Sequence, residues 1–206
     1  MRVIAFDPSS VGIGWAICEF PDRVIKADVI TRPKAWPAYL RIRSMRVDVS
    51  EAMDGARVDA AVVEVPGPKQ AGRNRGAYAT PGTYAAAVGV VLAEVWRAGV
   101  MGPVVTVESD EWTRSRGGGF GRRKSARLAD LRAAGLDDGV GDAGGDRGDA
   151  VSLAMWFLGE ARIRGWLENG GAECPIHLGG KSIVRCGSVG IRSDGRLGPL
   201  GRRPPT

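Results

Sequence analysis

Cysteine is scarce in this chain of 206 residues, which contains only Cys18, Cys174 and Cys186. An odd number of widely spaced cysteines argues against a disulfide scaffold and favours a reducing, cytoplasmic setting. Two of the cysteines lie near the single histidine, His177, a grouping that raises the question of zinc. A structural zinc site usually needs four ligands in paired spacing, and no fourth ligand is evident, so the sequence does not favour zinc.

Long hydrophobic runs are also missing from the chain. No apolar stretch approaches the roughly 20 residues that a membrane helix needs. The N-terminus, MRVIAFD, is too short and too soon acidic for a signal peptide. We therefore expect a cytoplasmic protein with no membrane association. Its length and its hydrophobic content of 44% are sufficient for an ordinary domain with a real core.

Acidic residues are outnumbered, with 23 Asp and Glu against 29 Lys and Arg, which gives a net charge of +6. A basic balance favours an anionic partner, and nucleic acid is the first candidate. Charge alone does not decide the partner, because many small proteins are basic for no specific reason. The charge governs association and does not determine the fold.

What the chain does contain is an alternation of strand and helix patterns. The predicted strands are residues 2–6, 13–20, 24–31, 58–65 and 102–109, and the predicted helices are about 38–56, 81–99, 122–134 and 146–165. Three closely joined strands followed by alternating helices and strands predict a mixed sheet covered on both faces. From about residue 169 onward Gly, Pro and Arg dominate. We therefore predict a folded domain over 1–168 and an irregular tail over 169–206.

Four acidic residues stand at element ends that such a sheet can bring together. Asp7 ends the first strand and Glu64 ends the fourth, in AVVEVPGP, while Asp146 and Asp149 begin the last helix, in DRGDAVSLAMW. Ligand sites in open sheets form just beyond strand ends. Each acid has a simpler interpretation, because Asp often forms turns and caps helices. Asp142 could serve as that cap, which would leave the helix pair available for a site.

Crowded carboxylates need a neutralising cation. They repel one another, and one of them stays protonated unless a positive charge offsets the repulsion. Mg²⁺ prefers oxygen ligands and commonly sits between one or two carboxylates and a phosphate. Two such ions about 4 Å apart can activate a water and stabilise the leaving oxygen at a phosphodiester. The acid pattern therefore predicts a magnesium-dependent reaction on nucleic acid.

Two basic stretches are candidates for phosphate contacts. The first, KQAGRNRGAY over 69–78, follows the fourth strand, and the second covers 114–127 with no acid among its residues. Arg and Lys contacts to the backbone provide most nucleic-acid affinity. The alternative is a solvated basic face. The candidate DNA-binding residues are Lys69, Arg73, Arg75, Tyr78, Arg114, Arg116, Arg122, Arg123 and Lys124, with Arg127 closing the second stretch.

The motifs FDPSSVGIGWAI, VVEVP and DRGDAVSLA, with the basic segment VESDEWTRSRGGGFGRRKSARL, resemble the RuvC family of Holliday-junction resolvases. This family belongs to the ribonuclease-H-like superfamily, and the resemblance covers about residues 1–165. It implies that the domain over 1–168 is a nuclease domain with an α/β fold. The implied sheet is mixed and five-stranded, of order 3-2-1-4-5, with helices on both faces and the first three strands antiparallel.

The resemblance also implies a Mg²⁺- or Mn²⁺-dependent homodimer, with two ions per active site. Each subunit would nick one of two opposed strands at a four-way DNA junction. By the family pattern Asp7 is the bridging metal ligand, and Glu64 and Asp149 are flanking ligands. Asp146 matches the family's first helix acid. Lys124 resembles the family's lysine near the scissile phosphate.

Two features depart from the family. The family places an aromatic residue after the strand-four Glu, beside the branch point, and here the nearest candidate, Tyr78, lies well downstream. The tail beyond 169 has no counterpart in the family.

Other apolar features have a structural interpretation. The helix at 81–99 is rich in small apolar residues and is interpreted as core or dimer surface. Trp112 and Trp156 are interpreted as packing residues.

Two other functions remain open. One is an RNA-processing nuclease of the YqgF type, and the other is a protein that binds branched DNA without cutting it. The basic loops after Glu64 and Ser109 favour the resolvase over the first. The four acids argue against the second, because acids near phosphates weaken binding unless metals neutralise them. An actin-like or kinase-like ATPase is disfavoured, since those folds need a duplicated domain.

Overall fold

A computed structural model describes residues 1–66, 80–100, 102–114, 124–137, 142, 145–159, 189–191 and 197–199. Its strands are β1 Arg2–Pro8, β2 Gly12–Glu19, β3 Arg23–Thr31, β4 Ala60–Val65, β5 Val104–Glu108, β6 Val189–Ile191 and β7 Leu197–Pro199. Its helices are α1 Ala38–Met53, α2 Thr80–Arg97, α3 Ser109–Arg114, α4 Lys124–Ala133 and α5 Asp146–Gly159. None of the helices in these ranges is both long enough and apolar enough to cross a bilayer.

The first five strands form one sheet of order β3-β2-β1-β4-β5. The β1–β2 and β2–β3 pairs are antiparallel, and the β1–β4 and β4–β5 pairs are parallel. This arrangement confirms the predicted mixed sheet and its strand order. The antiparallel meander follows from the short turns after β1 and β2, whereas the parallel strands need the helical crossovers supplied by α1 and α2.

Helices cover both faces of the sheet, as predicted. The central residues of β1 are fully buried and alternate between two cores. Val3 and Ala5 pack in the core beneath α5, whereas Ile4 and Phe6 pack in the core beneath α1 and α2. A strand buried on both faces reads as a continuous apolar run, which is why RVIAF identified it in the sequence.

Most element boundaries differ from the predictions by one to three residues. Helix α1 ends at Met53 instead of near residue 56, because Asp54 is already extended. Gly55, with a left-handed φ of 66°, completes a turn in which the Ala56 amide donates to the Met53 carbonyl oxygen. Helix α4 is described from Lys124 onward, and its predicted start at residue 122 lies outside the described residues. Helix α3 was not predicted, and it follows β5 directly.

Within residues 169–206, which were predicted to be irregular, the structure describes a short antiparallel pair. Strand β6 pairs with β7, with Gly190 opposite Gly198. The other residues of this segment lie outside the described ranges, and the domain boundary at 168 stays a prediction.

Candidate active site at the carboxyl end of the central strand

Asp7 and Glu64 lie side by side because their strands are parallel neighbours. The β1–β4 register pairs Val3 with Ala60 and Phe6 with Val63, so Asp7 and Glu64 occupy the next matched level. Side chains alternate between the two faces of a strand. Both acids therefore project to the same face as Val3, which is the face covered by α5.

A glycine lets helix α5 start directly against this end of the sheet. Gly14 is the β2 partner of Asp7. A Cβ atom at position 14 would lie 2.0 Å from the backbone oxygen of Asp146. Only a residue without a side chain allows such a close approach of two backbones. The start of α5, and with it Asp146 and Asp149, is thus held beside Asp7.

The start of α5 is capped from outside the helix, which confirms the cap predicted for Asp142. Its Oδ2 atom accepts the Gly148 amide hydrogen at 3.0 Å. Nearby, Arg147 pairs with the buried Asp137, with Nη2 and Oδ1 separated by 2.6 Å. The side chain of Asp149 is therefore not needed as the cap, and it makes its contacts with helix α4 instead.

Helix α4 places Lys124 beside two of the acids. Its Nζ lies 2.7 Å from Asp149 Oδ2 and 3.4 Å from Asp146 Oδ1. Burial lowers the pKa of Lys124, but the hydrogen bond to Asp149 and the charges of Asp149, Asp146 and Asp7 outweigh it and raise the pKa overall. Lys124 is therefore an ammonium held among the acids. Gly145, directly before α5, has a left-handed φ of 71°, and a Cβ there would meet Lys124 Cε at 2.8 Å.

The environment of Asp7 favours its protonated form. Burial raises the pKa of Asp7 well above its ordinary value, and repulsion from Glu64, Asp149 and Asp146 raises it further. Lys124 opposes this shift. The four predicted acids therefore interact electrostatically in the folded chain, as carboxylates at one site must.

The pKa of Glu64 is also set by opposing effects of burial and of neighbouring groups. Burial raises its pKa, the hydrogen bond from Trp112 opposes the rise, and repulsion from Asp149 adds to it. A hydrogen bond from Ser109 and the charge of Arg127 also lower the pKa, and the net result is a value of about 7. Glu64 is only 7% exposed, so its charge is stabilised by these few partners and little by water.

Three site residues were missed or misjudged from the sequence. Trp112 is buried in the core, as interpreted, but its Nε1–H also donates to Glu64 Oε2 at 2.7 Å. Arg127 was counted with the phosphate-binding stretch, yet it is buried and pairs with Asp149, with Nη2 and Oδ1 2.7 Å apart. The signal available in the sequence was that Arg127 lies three residues after Lys124, on the same helix face.

The third residue is Tyr84, an aromatic residue on α2. Burial raises its pKa most, and the charges of Glu64 and Asp7 raise it further.

The donor chemistry of the site suits a hard divalent cation. Every acidic candidate offers carboxylate oxygen, the ligand type that Mg²⁺ prefers. Burial and repulsion together raise the pKa of Asp7, so added positive charge there would be favourable. However, the described residues contain no group of three or more His, Cys, Asp or Glu side chains placed closely enough to hold a metal ion. In this arrangement Lys124 supplies the positive charge beside Asp146 and Asp149.

Several predicted contacts fall outside the described part of the chain. For Arg114, which ends α3, the side chain is not described. The Cys174, His177 and Cys186 group is also outside the described ranges. The remaining DNA-binding candidates outside these ranges are Lys69, Arg73, Arg75, Tyr78, Arg116, Arg122 and Arg123.

Comparison with known proteins rests on structure alone. No protein-family model matches the chain, and no curated protein matches its sequence. The structure of T. thermophilus RuvC in complex with a Holliday junction substrate is 18% identical, with a TM-score of 0.58, and the match covers 89% of this chain and 99% of that one. A second Thermus thermophilus RuvC structure is 22% identical, with a TM-score of 0.60, and the match covers 79% of this chain and 96% of that one. The chain therefore has a RuvC-like fold, as the sequence motifs predicted.

Proposed function

We propose that this protein is a metal-dependent, structure-selective DNA endonuclease that resolves four-way junctions by paired nicks. The observation that carries the proposal is the meeting of Asp7, Glu64 and Asp149 with Lys124 at one end of a RuvC-like sheet. A structural neighbour with this fold is itself in complex with a Holliday junction substrate. The net charge of +6 is also favourable for association with DNA.

In this proposal Asp7, Glu64, Asp146 and Asp149 hold two Mg²⁺ or Mn²⁺ ions. When bound, such ions activate a water and stabilise the leaving oxygen of a phosphodiester. The protein's part is to hold the carboxylates in place. Asp7 and Glu64 are fixed by adjacent strands, and Asp149 is fixed by a helix that rests on Gly14. Rigid elements of this kind are the most precise supports for a site.

Lys124 is proposed to contact the phosphate that is cut. Its side chain is 42% exposed and is therefore accessible to a substrate. An ammonium group there offers three hydrogen-bond donors to phosphate oxygens. The hydrogen bond to Asp149 keeps it charged, because it helps to raise the lysine pKa.

Paired nicks require two active sites related by a two-fold axis, and we therefore propose a homodimer. Helix α2 offers a surface for it. On its outer side, small apolar residues are exposed next to Trp96, which is 53% exposed. Small residues let two helices approach closely, and an exposed Trp is typical of the centre of interfaces. The residues of this α2 face are Ala85, Ala86, Gly89, Ala93 and Trp96.

A gel assay tests the proposed function against its alternatives. End-labelled four-way junction, linear duplex, single-stranded DNA and structured RNA are each incubated with the protein in Mg²⁺ or in EDTA, and Asp7→Asn serves as the inactive control. The proposal expects junction cleavage that requires Mg²⁺ and is absent from the control. Preferential cutting of RNA would support the YqgF-type alternative. Tight junction binding without cutting in Mg²⁺ or Mn²⁺ would support a binding protein.

A further inference from the structure

We propose that Trp112 and Arg127 are positioning residues that together connect Glu64 to Asp149 and fix the orientation of both carboxylates, which the proposed metal ions would bind. This inference rests on the proposed function. It concerns four side chains from four elements, namely β4, α3, α4 and α5. Neither residue belongs to the four predicted metal ligands.

The first half of the connection fixes Glu64. The indole Nε1–H of Trp112 donates to Glu64 Oε2 at 2.7 Å, and the bond is buried. Ser109, at the start of the same short helix, also donates to Glu64. A carboxylate held by fixed donors loses most of its freedom to rotate, and a hydrogen bond to a charged acceptor is stronger than a neutral one. Helix α3 therefore sets the orientation of the Glu64 carboxylate.

The second half fixes Asp149 and joins it to the first. The Arg127 guanidinium lies 4.7 Å from the centre of the Trp112 ring, in cation–π contact. The same group pairs with Asp149, with Nη2 and Oδ1 2.7 Å apart. The Arg127 and Asp149 side chains are only 8% and 9% exposed. A planar guanidinium can stack on a ring and bind a carboxylate at once, which a lysine ammonium cannot do equally well.

The consequence is that a change in the position of Trp112 reaches both carboxylates. Groups that orient metal ligands from behind typically change metal affinity or activity by about 10- to 100-fold when they are removed. Because neither residue would touch the cation, substitution should weaken metal binding without removing a ligand. DNA binding measured without metal should be unaffected.

Trp112→Phe is the direct test, because it removes the N–H donor and keeps an aromatic ring. The matched control is Trp156→Phe. Trp156 is also buried, in the same core, but its Nε1 has no hydrogen-bond partner among the described residues. Calorimetric titration of Mn²⁺ into the full, DNA-free protein gives the metal affinity. We expect an affinity about 10- to 100-fold weaker for Trp112→Phe and near wild-type for Trp156→Phe.

Arg127→Lys is a second variant, which keeps the charge and removes the stacked plane. It too should weaken Mn²⁺ binding, and it keeps the proposal testable if Trp112→Phe does not fold. In the double variant the reduction in affinity should be smaller than the product of the two single reductions, because both substitutions break one connection. If the two reductions in Mn²⁺ affinity multiply in the double variant, Trp112 and Arg127 act independently, and the proposed connection between them is wrong.

Single-turnover cleavage of a four-way junction provides the second readout. For Trp112→Phe the rate should fall, excess Mn²⁺ should partly restore it, and junction affinity in EDTA should stay within about twofold of wild type. Equal Mn²⁺ affinity in Trp112→Phe and wild type would overturn the proposal, as would equal reductions in Trp112→Phe and Trp156→Phe. A wild-type chain that binds no Mn²⁺ would also overturn it. A wild-type chain that binds Mn²⁺ but cuts no junction would overturn only the proposed function, since the calorimetric comparison would still stand.

Discussion

At the scale of single residues, the four acids are not equivalent. Asp7 and Glu64 stand on adjacent central strands, and the Asp149 side chain is 9% exposed between two cations. Asp146 is one-third exposed, and the distance from its carboxylate to the Lys124 ammonium is 3.4 Å. The structure therefore separates three constrained acids from one that is less constrained.

The first prediction follows from this difference. Asp7→Asn, Glu64→Gln and Asp149→Asn should each abolish junction cleavage, whereas Asp146→Asn should reduce it less. Junction binding should persist in all four, because removing negative charge near phosphates does not weaken association. Single-turnover rates and gel shifts in EDTA measure the two effects separately. A near wild-type rate in any of the first three variants would show that the site is wrongly assigned.

The second prediction concerns pH. The pKa of Glu64 is raised from its ordinary 4.5 to about 7 in the folded chain. Between these values the native state binds a proton that the unfolded chain has released, so stability of the metal-free protein falls as pH rises through this window. The decrease is about 3 kcal/mol at most for this group. The raised pKa of Asp7 acts in the same direction.

Urea unfolding in EDTA at pH 5 and pH 8 measures this decrease, with Glu64→Gln as the comparison. The wild-type protein should lose more free energy of unfolding between the two pH values than the variant does. Identical pH dependence in both proteins would mean that Glu64 does not titrate abnormally.

At the scale of elements, the position of α5 depends on Gly14. A Cβ at this position would overlap the Asp146 backbone, which cannot move aside as a flexible side chain could. Gly14→Ala should therefore shift the start of α5, lower stability by about 1–3 kcal/mol, and reduce cleavage more than junction binding. Gly82→Ala is the matched control, since a Cβ there meets nothing within 4 Å. Thermal unfolding and single-turnover rates of both variants test this, and equal behaviour would contradict the close approach of the two backbones.

The elements also show what the sequence could predict. The RVIAF run identified β1 because a strand buried on both faces must be apolar throughout. The acids at element ends predicted that Asp7 and Glu64 lie side by side, because parallel strands end at one edge of the sheet. The Trp112–Glu64 hydrogen bond could not be predicted, since it joins residues 48 positions apart through tertiary packing. Arg127 was assigned to the DNA surface for a similar reason, because sequence shows the charge and not the buried carboxylate beside it.

At the scale of the whole molecule, we expect association with DNA to depend on the basic stretch over 114–127. Replacing Arg122, Arg123 and Lys124 by Ala should weaken binding to junctions and duplexes alike, because phosphate contacts carry no sequence information. The slope of log affinity against log salt should shrink by about one unit for each phosphate interaction that the substitutions remove. Lys124→Ala alone should slow cleavage more than it weakens binding, since this residue lies among the acids. An unchanged salt slope in the triple variant would show a solvated face instead of a DNA-binding one.

The homodimer is a further prediction at this scale. Ala86→Glu and Ala93→Glu place charges on the α2 face and should give a monomer in sedimentation at micromolar concentration. Such a monomer should cut junctions without pairing its nicks. A wild-type protein that is monomeric and fully active would contradict the symmetric arrangement.

Paired cutting of an extruded cruciform on a supercoiled plasmid tests the central claim most directly. Two coordinated nicks across the junction release a linear plasmid, whereas one nick releases an open circle. We expect linear product that requires Mg²⁺ or Mn²⁺, does not form on a relaxed plasmid, and is absent with Asp7→Asn. Open circles alone, equal cutting of the relaxed plasmid, or no cutting in either metal would contradict the claim.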